Sequence, residues 1–152
     1  MPEYSVCSDR VDIQAPAETV WQVLVDFERY PDWNPFTYRV ETDLVPGHAV
    51  DLYVKLPGWG RRLQTEYVHQ VVRPRLLSWG MTLGHETLLQ ALREQRLEVL
   101  SENSCCYQST DAFRGVLTPL VRFLFARSIR RGFNAMAHAL KLEAEKLQDQ
   151  SS

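Results

Sequence analysis

The chain has 152 residues, 45% of them hydrophobic, and its 17 basic and 19 acidic side chains leave a formal charge of -2. That length suits one domain with a sizeable core and would cramp two. The near balance of charge excludes a global field aimed at nucleic acid or an anionic membrane, and no apolar run approaches the roughly 20 residues that span a bilayer.

The opening residues MPEYSVCSDR lack the basic and apolar regions of a signal peptide, so a cytoplasmic protein without integral membrane association is expected. Cysteine usage agrees. Cys7 stands alone and Cys105 and Cys106 are adjacent, which suits neither a disulfide framework nor a CxxC metal or redox motif.

In chain order, Val11 and Ile13 alternate within RVDIQAP and the pattern stops at Pro16, as a strand does before a helix. In APAETVWQVLVDFERY, Pro16 fits a first helical turn and Val20, Trp21, Leu24 and Phe27 recur with helical spacing, which predicts a helix with one buried face. Pro31 and Pro35 then end it, so PDWNP holds at most a single helical turn before the chain extends.

After Phe36 the period becomes that of strands. Val50, Leu52, Val54 and Leu56 alternate with Asp51, Tyr53 and Lys55, and the next segment sets Leu63, Thr65, Tyr67, His69 and Val71 on one face. Turns at PGHA, PGWGR and RPR make these strands antiparallel and lead into LLSWGM. Residues 91–100 read as a further strand, with residues 82–90 a loop or short helix because Leu88, Leu89 and Leu92 suit helical spacing. SENS turns the chain into CCYQSTDAF, where Tyr107, Ser109, Asp111 and Phe113 share a face. From Leu117 to Leu147 one apolar stripe, including Phe133 and Met136, predicts a single long helix. Residues 1–148 thus form one domain, and 149–152 are expected to be a disordered tail.

The order of strand, short helices, some six strands and one long helix needs the long helix to cover the apolar face of the sheet. At this point the sequence resembles the START-like, helix-grip (SRPBCC) superfamily, in its polyketide cyclase/dehydrase and lipid-transport group. The likeness is carried by IQAPAETVWQVLVDFERYPDWNPF, by PRLLSWGM and by DAFRGVLTPL with RRGFNAMAHALKLEAE, the last similar to small bacterial members. It implies an α+β fold in which a curved antiparallel sheet of about seven strands wraps round the C-terminal helix, with two short helices after the first strand. It also implies a large apolar cavity between sheet and helix.

That cavity gives the candidate residues their interest. Trp33 and Phe36, in YPDWNPF, either line or cap its mouth or are ordinary core. His69, with Tyr67, is either a general base in an apolar pocket or a satisfied structural histidine. Asp111 is either a proton-moving carboxyl with a raised pKa or a partner for the start of the long helix. Tyr53, Trp79, Tyr107, Phe113, Phe133 and Met136 complete the set expected to face a ligand. Gly132, costly inside a helix, either allows a bend or close packing against Trp79 or another strand aromatic. Arg122, Arg127, Arg130 and Arg131 lie off the apolar stripe, as a solvated face or a membrane-docking one.

No phosphate loop, GxSxG or HExxH is present, and His48, His69, His85 and His138 lack metal-ligand spacing, so no metal, cofactor or catalytic motif is predicted. Three functions remain: a carrier or sensor for a lipid, isoprenoid or aromatic polyketide; a cyclase, aromatase or dehydratase in which His69, Asp111 or Tyr107 moves protons; or a lipid-handling partner whose arginine face docks on a membrane or another protein. The second requires at least two of those groups in one cavity and fails, in that form, if His69 and Asp111 lie on opposite sides of the sheet.

Overall fold

Alternating apolar residues give each strand one face to bury, and all the strands bury it on the same side. The computed structural model describes residues 1–151. The strands are β1 (Glu3–Cys7), β2 (Val11–Ile13), β3 (Thr37–Thr42), β4 (Ala49–Leu56), β5 (Gly60–Val72), β6 (Leu76–Leu83), β7 (Leu89–Ser101) and β8 (Ser104–Arg114). They form one antiparallel sheet in the order β1-β8-β7-β6-β5-β4-β3, with β2 also paired to β8.

β1, not anticipated from the sequence, and β2 lie end to end along β8. Ser8 makes the joint: its N–H donates to the Ser109 carbonyl at 2.8 Å and its Oγ accepts from the Ser109 N–H at 3.0 Å. Such side-chain bonding keeps the interrupted edge satisfied.

Helix α1 (Ala17–Val25) follows Pro16 and buries Val20, Trp21, Val23 and Leu24. A 3₁₀ turn at Phe27–Arg29 leads into the one-turn α2 (Tyr30–Trp33). Asn34 then accepts hydrogen bonds on Oδ1 from the backbone N–H groups of Phe36 (3.0 Å) and Thr37 (2.9 Å), while the Tyr30 hydroxyl donates to the Leu24 carbonyl. The YPDWNPF segment is therefore a rigid corner that swings Phe36 under the long helix.

Helix α3 (Thr118–Ser151) packs across the concave face of the sheet, burying Phe133, Met136, Ala137, Leu140 and Ala144 against Ile13, Leu24, Tyr30 and the inner residues of the strands. This is the helix-grip architecture. Gly132 allows close packing, against Phe36 rather than Trp79: a methyl group at this position would run into the Phe36 ring.

Two local expectations are corrected. Residues 82–90 hold no helix, because Leu83 pairs with Leu89 and Thr82 with Gln90, so β6 and β7 continue almost to the turn. Of the helically spaced leucines, Leu88 lies in the turn, as the loop alternative had it, and Leu89 and Leu92 lie in β7. The polar end expected to be disordered is helical through Ser151, whose Oγ donates to the Leu147 carbonyl at 3.1 Å, and residue 152 lies outside the described residues.

Candidate functional site

The pairing of β5 decides which side chains meet the interior. Val50 and Leu52 on β4 face Glu66 and Gln64 across the ladder, and all four point inward with Val68. Because strand side chains alternate, their neighbours must point out. Tyr67 is 56% exposed and His69 is exposed as well, so the face expected to meet the helix is the outer one. Tyr53 is outward too, its ring 6.2 Å from that of Tyr38 with the Arg39 guanidinium over it. Trp33 packs edge-on against Tyr30 and borders a surface groove with Gln22, Asp26, Glu143 and Lys146. None of these four lines the cavity described next.

That cavity, of about 480 Å³, lies between the sheet and the first half of α3. Phe36, Leu52, Val54, Leu56, Trp79, Leu89 and Phe113 form its floor and sides, and Val121, Phe125 and Ile129 form its roof. Such a volume and lining suit a small-molecule site. Of the expected residues, Phe36, Trp79, Asp111 and Phe113 are on its wall. Tyr107, Phe133 and Met136 are buried beside it: Tyr107 donates its hydroxyl proton to Gln95 Oε1 at 2.7 Å, and Phe133 and Met136 support a residue that the sequence reading did not single out.

That residue is Arg93. It sits between Trp79 on β6 and Asp111 on β8, in direct cross-strand register with both, and is only 5% exposed. Its Nε donates to Ser109 Oγ at 3.1 Å and its Nη2 to Met136 Sδ at 3.3 Å, and the guanidinium lies 4.5 Å from the Phe133 ring centroid and 5.6 Å from that of Phe36. Two neutral acceptors and two aromatic faces thus hold the cation in place. Among the described residues, no carboxylate forms an ion pair with it.

Two carboxyls nevertheless share the wall. Asp111 Oδ1 is buried without a hydrogen-bond partner, and Glu66 is held by Gln64 Nε2 at 3.1 Å. Burial raises the Asp111 pKa to about 7, with the nearby Glu66 charge adding to the rise and Arg93 opposing it. Burial also raises the Glu66 pKa, against the pull of Arg93, Gln64 and Arg62. Trp79 Nε1 is a further buried group without a partner. An apolar chamber therefore presents a fixed cation, a carboxyl that titrates near neutrality and an open N–H donor.

Arg93 and Glu66 had a legible signal in the alternation. Leu89, Arg93, Gln95 and Leu97 are the buried residues of β7, but the expectation that inward positions are apolar hid the polar ones. Glu66 was hidden by the opposite choice of face for β5.

Residues 6–145 match the family described as polyketide cyclase / dehydrase and lipid transport. The chain belongs to that family. No curated protein matches it at the sequence level. Among solved structures, it is similar to the Zhui aromatase/cyclase from a Streptomyces species, at 23% identity and a TM-score of 0.72, with 95% of each chain covered. Norcoclaurine synthase from Thalictrum flavum, as a point mutant with a transition-state analogue, gives 16% identity and a TM-score of 0.72 over 97% of each chain. A START superfamily protein from Mycobacterium smegmatis gives 18% identity and a TM-score of 0.66 over 95% of this chain and 98% of the other. At these identities the likeness is one of fold. Among the described residues, no helix of this family member is long and apolar enough to cross a membrane, and no group of three or more His, Cys, Asp or Glu is placed to hold a metal ion.

Proposed function

We propose that the chain binds a mostly apolar small molecule carrying one polar oxygen function, as a carrier or sensor, with its body between Leu52, Val54, Phe113 and Phe125 and its oxygen at Arg93. The observation that carries this reading is a buried guanidinium on the wall of an apolar cavity with no acid paired to it. A buried guanidinium whose neighbouring acids, Glu66 and Asp111, make no ion pair with it is only partly compensated, and a ligand carbonyl or carboxylate adds to that compensation in the bound state. An apolar body supplies the remaining affinity by leaving water. Fatty acids, isoprenoids and aromatic polyketides all fit this chemistry.

Native mass spectrometry of the purified protein, with small-molecule analysis of the denatured sample, tests it. A stoichiometric apolar compound with an oxygen-bearing end is expected, and Arg93→Met lowers its occupancy while His69→Ala leaves it unchanged. A protein that neither retains such a compound nor binds a fluorescent fatty acid saturably sinks the reading.

A second reading rests on Asp111. Its open Oδ1 and its pKa near 7 suit a group that takes and returns a proton at neutral pH, beside an Arg93 placed to stabilise a developing oxyanion. That is the equipment of a cyclase, aromatase or dehydratase, and the similarity to an aromatase/cyclase fits it. The version using His69 fails, since His69 and Asp111 lie on opposite sides of the sheet, and Tyr107 does not line the cavity. Turnover of a poly-β-keto thioester that survives Asp111→Asn would count against the acid–base role of Asp111.

A further inference from the structure

The first turns of α3 are apolar on two sides. Val121, Phe125 and Ile129 roof the cavity, whereas Val116, just before the helix, and Leu120, Phe123 and Leu124 are exposed, Phe123 by 85%. Trp59, in the turn between β4 and β5, is 53% exposed and packs at a tilt against Phe125 with ring centroids 4.7 Å apart, so hairpin tip and helix form one surface. Leu63, Leu83 and Leu120 are exposed and yet line the cavity, which marks its mouth within the same surface. A folded chain gains nothing by leaving such a patch in water.

The charge on the β4–β5 turn and on the first half of α3 has one sign, with Glu86 lying near the Leu83 and Val116 edge of the surface. Lys55, Arg61 and Arg62 flank Trp59, and Arg122, Arg127 and Arg131 follow along the helix, while neither the segment 52–65 nor α3 before Glu143 contains an acidic residue. None of these six cations forms an ion pair among the described residues, in contrast to Arg130, which is tied to Asp9 at 2.9 Å. The chain as a whole carries -2, so this basic surface is segregated rather than a reflection of composition.

We propose that the cavity mouth docks on anionic lipid bilayers, with Phe123, Leu120 and Trp59 seated at headgroup depth and Arg61, Arg127 and Arg131 on the lipid phosphates. Protruding aromatic and aliphatic side chains ringed by arginines match the layering of a bilayer interface, apolar below and anionic above. A docked mouth opens directly onto the acyl region, so an apolar ligand enters without crossing water. This assignment does not depend on which molecule the cavity binds, because its tests read vesicle binding alone.

Sedimentation with phosphatidylcholine vesicles, with and without phosphatidylglycerol, tests it at low and high salt. Binding is expected only to the vesicles containing phosphatidylglycerol, weakening with salt. Phe123→Asp and the double change Arg127→Glu with Arg131→Glu each lower the bound fraction about tenfold, with circular dichroism and melting temperature unchanged. Tryptophan emission shifts to the blue on vesicle binding, and that shift is lost in Trp59→Phe. No binding to either vesicle, or binding that both variants leave intact, overturns the proposal. Binding to soluble polyglutamate but not to vesicles also overturns it, assigning the surface to an acidic protein.

Discussion

The two halves of α3 do different work. From Gly132 onward, Phe133, Met136, Ala137, Leu140 and Ala144 are all buried and packed on the sheet and α1. Before Gly132, Val121, Phe125 and Ile129 are only partly buried, touching core side chains at the edges of the cavity that lies beneath them. One apolar stripe thus serves as core at one end and as the roof of a binding chamber at the other. Burial, not hydrophobic periodicity, separates the two roles.

The sharpest test of that difference is a pair of truncations. Leu140→Ala removes a fully buried side chain and is expected to cost about 2–5 kcal/mol in urea unfolding. Phe125→Ala, a larger deletion over a space already empty, is expected to cost less than about 2 kcal/mol while weakening ligand binding severalfold. Equal losses of stability would mean that the roof is core after all.

Asp111, on the cavity wall, should behave as a buried acid without an ion-pair partner and so oppose the pH dependence of a paired one. Its folded pKa, about 7, lies above its unfolded value of roughly 3.9, so the fold favours the protonated form. The stability it contributes is full below pH 4 and is lost as pH rises through 7. Asp111→Asn is therefore expected to match the parent at pH 4 and to be more stable at pH 8, by about 2–4 kcal/mol, in unfolding curves collected across that range. A variant less stable at pH 8 would mean that Asp111 is ionised and paired.

At the boundary between the halves, Gly132→Ala is expected to cost about 1–3 kcal/mol despite the better helix propensity of alanine, since the added methyl meets the Phe36 ring. Thermal unfolding checks this, and Phe36→Leu in the same chain should recover part of the loss. The smallest effect is expected at His69→Ala, which lies on the outer face and should change stability by less than about 0.5 kcal/mol and ligand binding not at all.

Local spacing in the sequence determined the long helix from Leu117, the helix after Pro16, the antiparallel strands and, through the YPDWNPF and GFNAM segments, the family and its fold. These features rest on neighbours three or four residues apart, or two, and need no knowledge of distant partners. Only the tertiary structure decided which face of β5 meets α3, because a one-residue change of side moves every side chain of the strand, exchanging Tyr67 and His69 for Gln64 and Glu66. Arg93 likewise acquired its meaning from Ser109, Met136 and Phe133, residues 16, 43 and 40 positions away along the chain, which together hold a cation where the strand pattern alone calls for an apolar side chain.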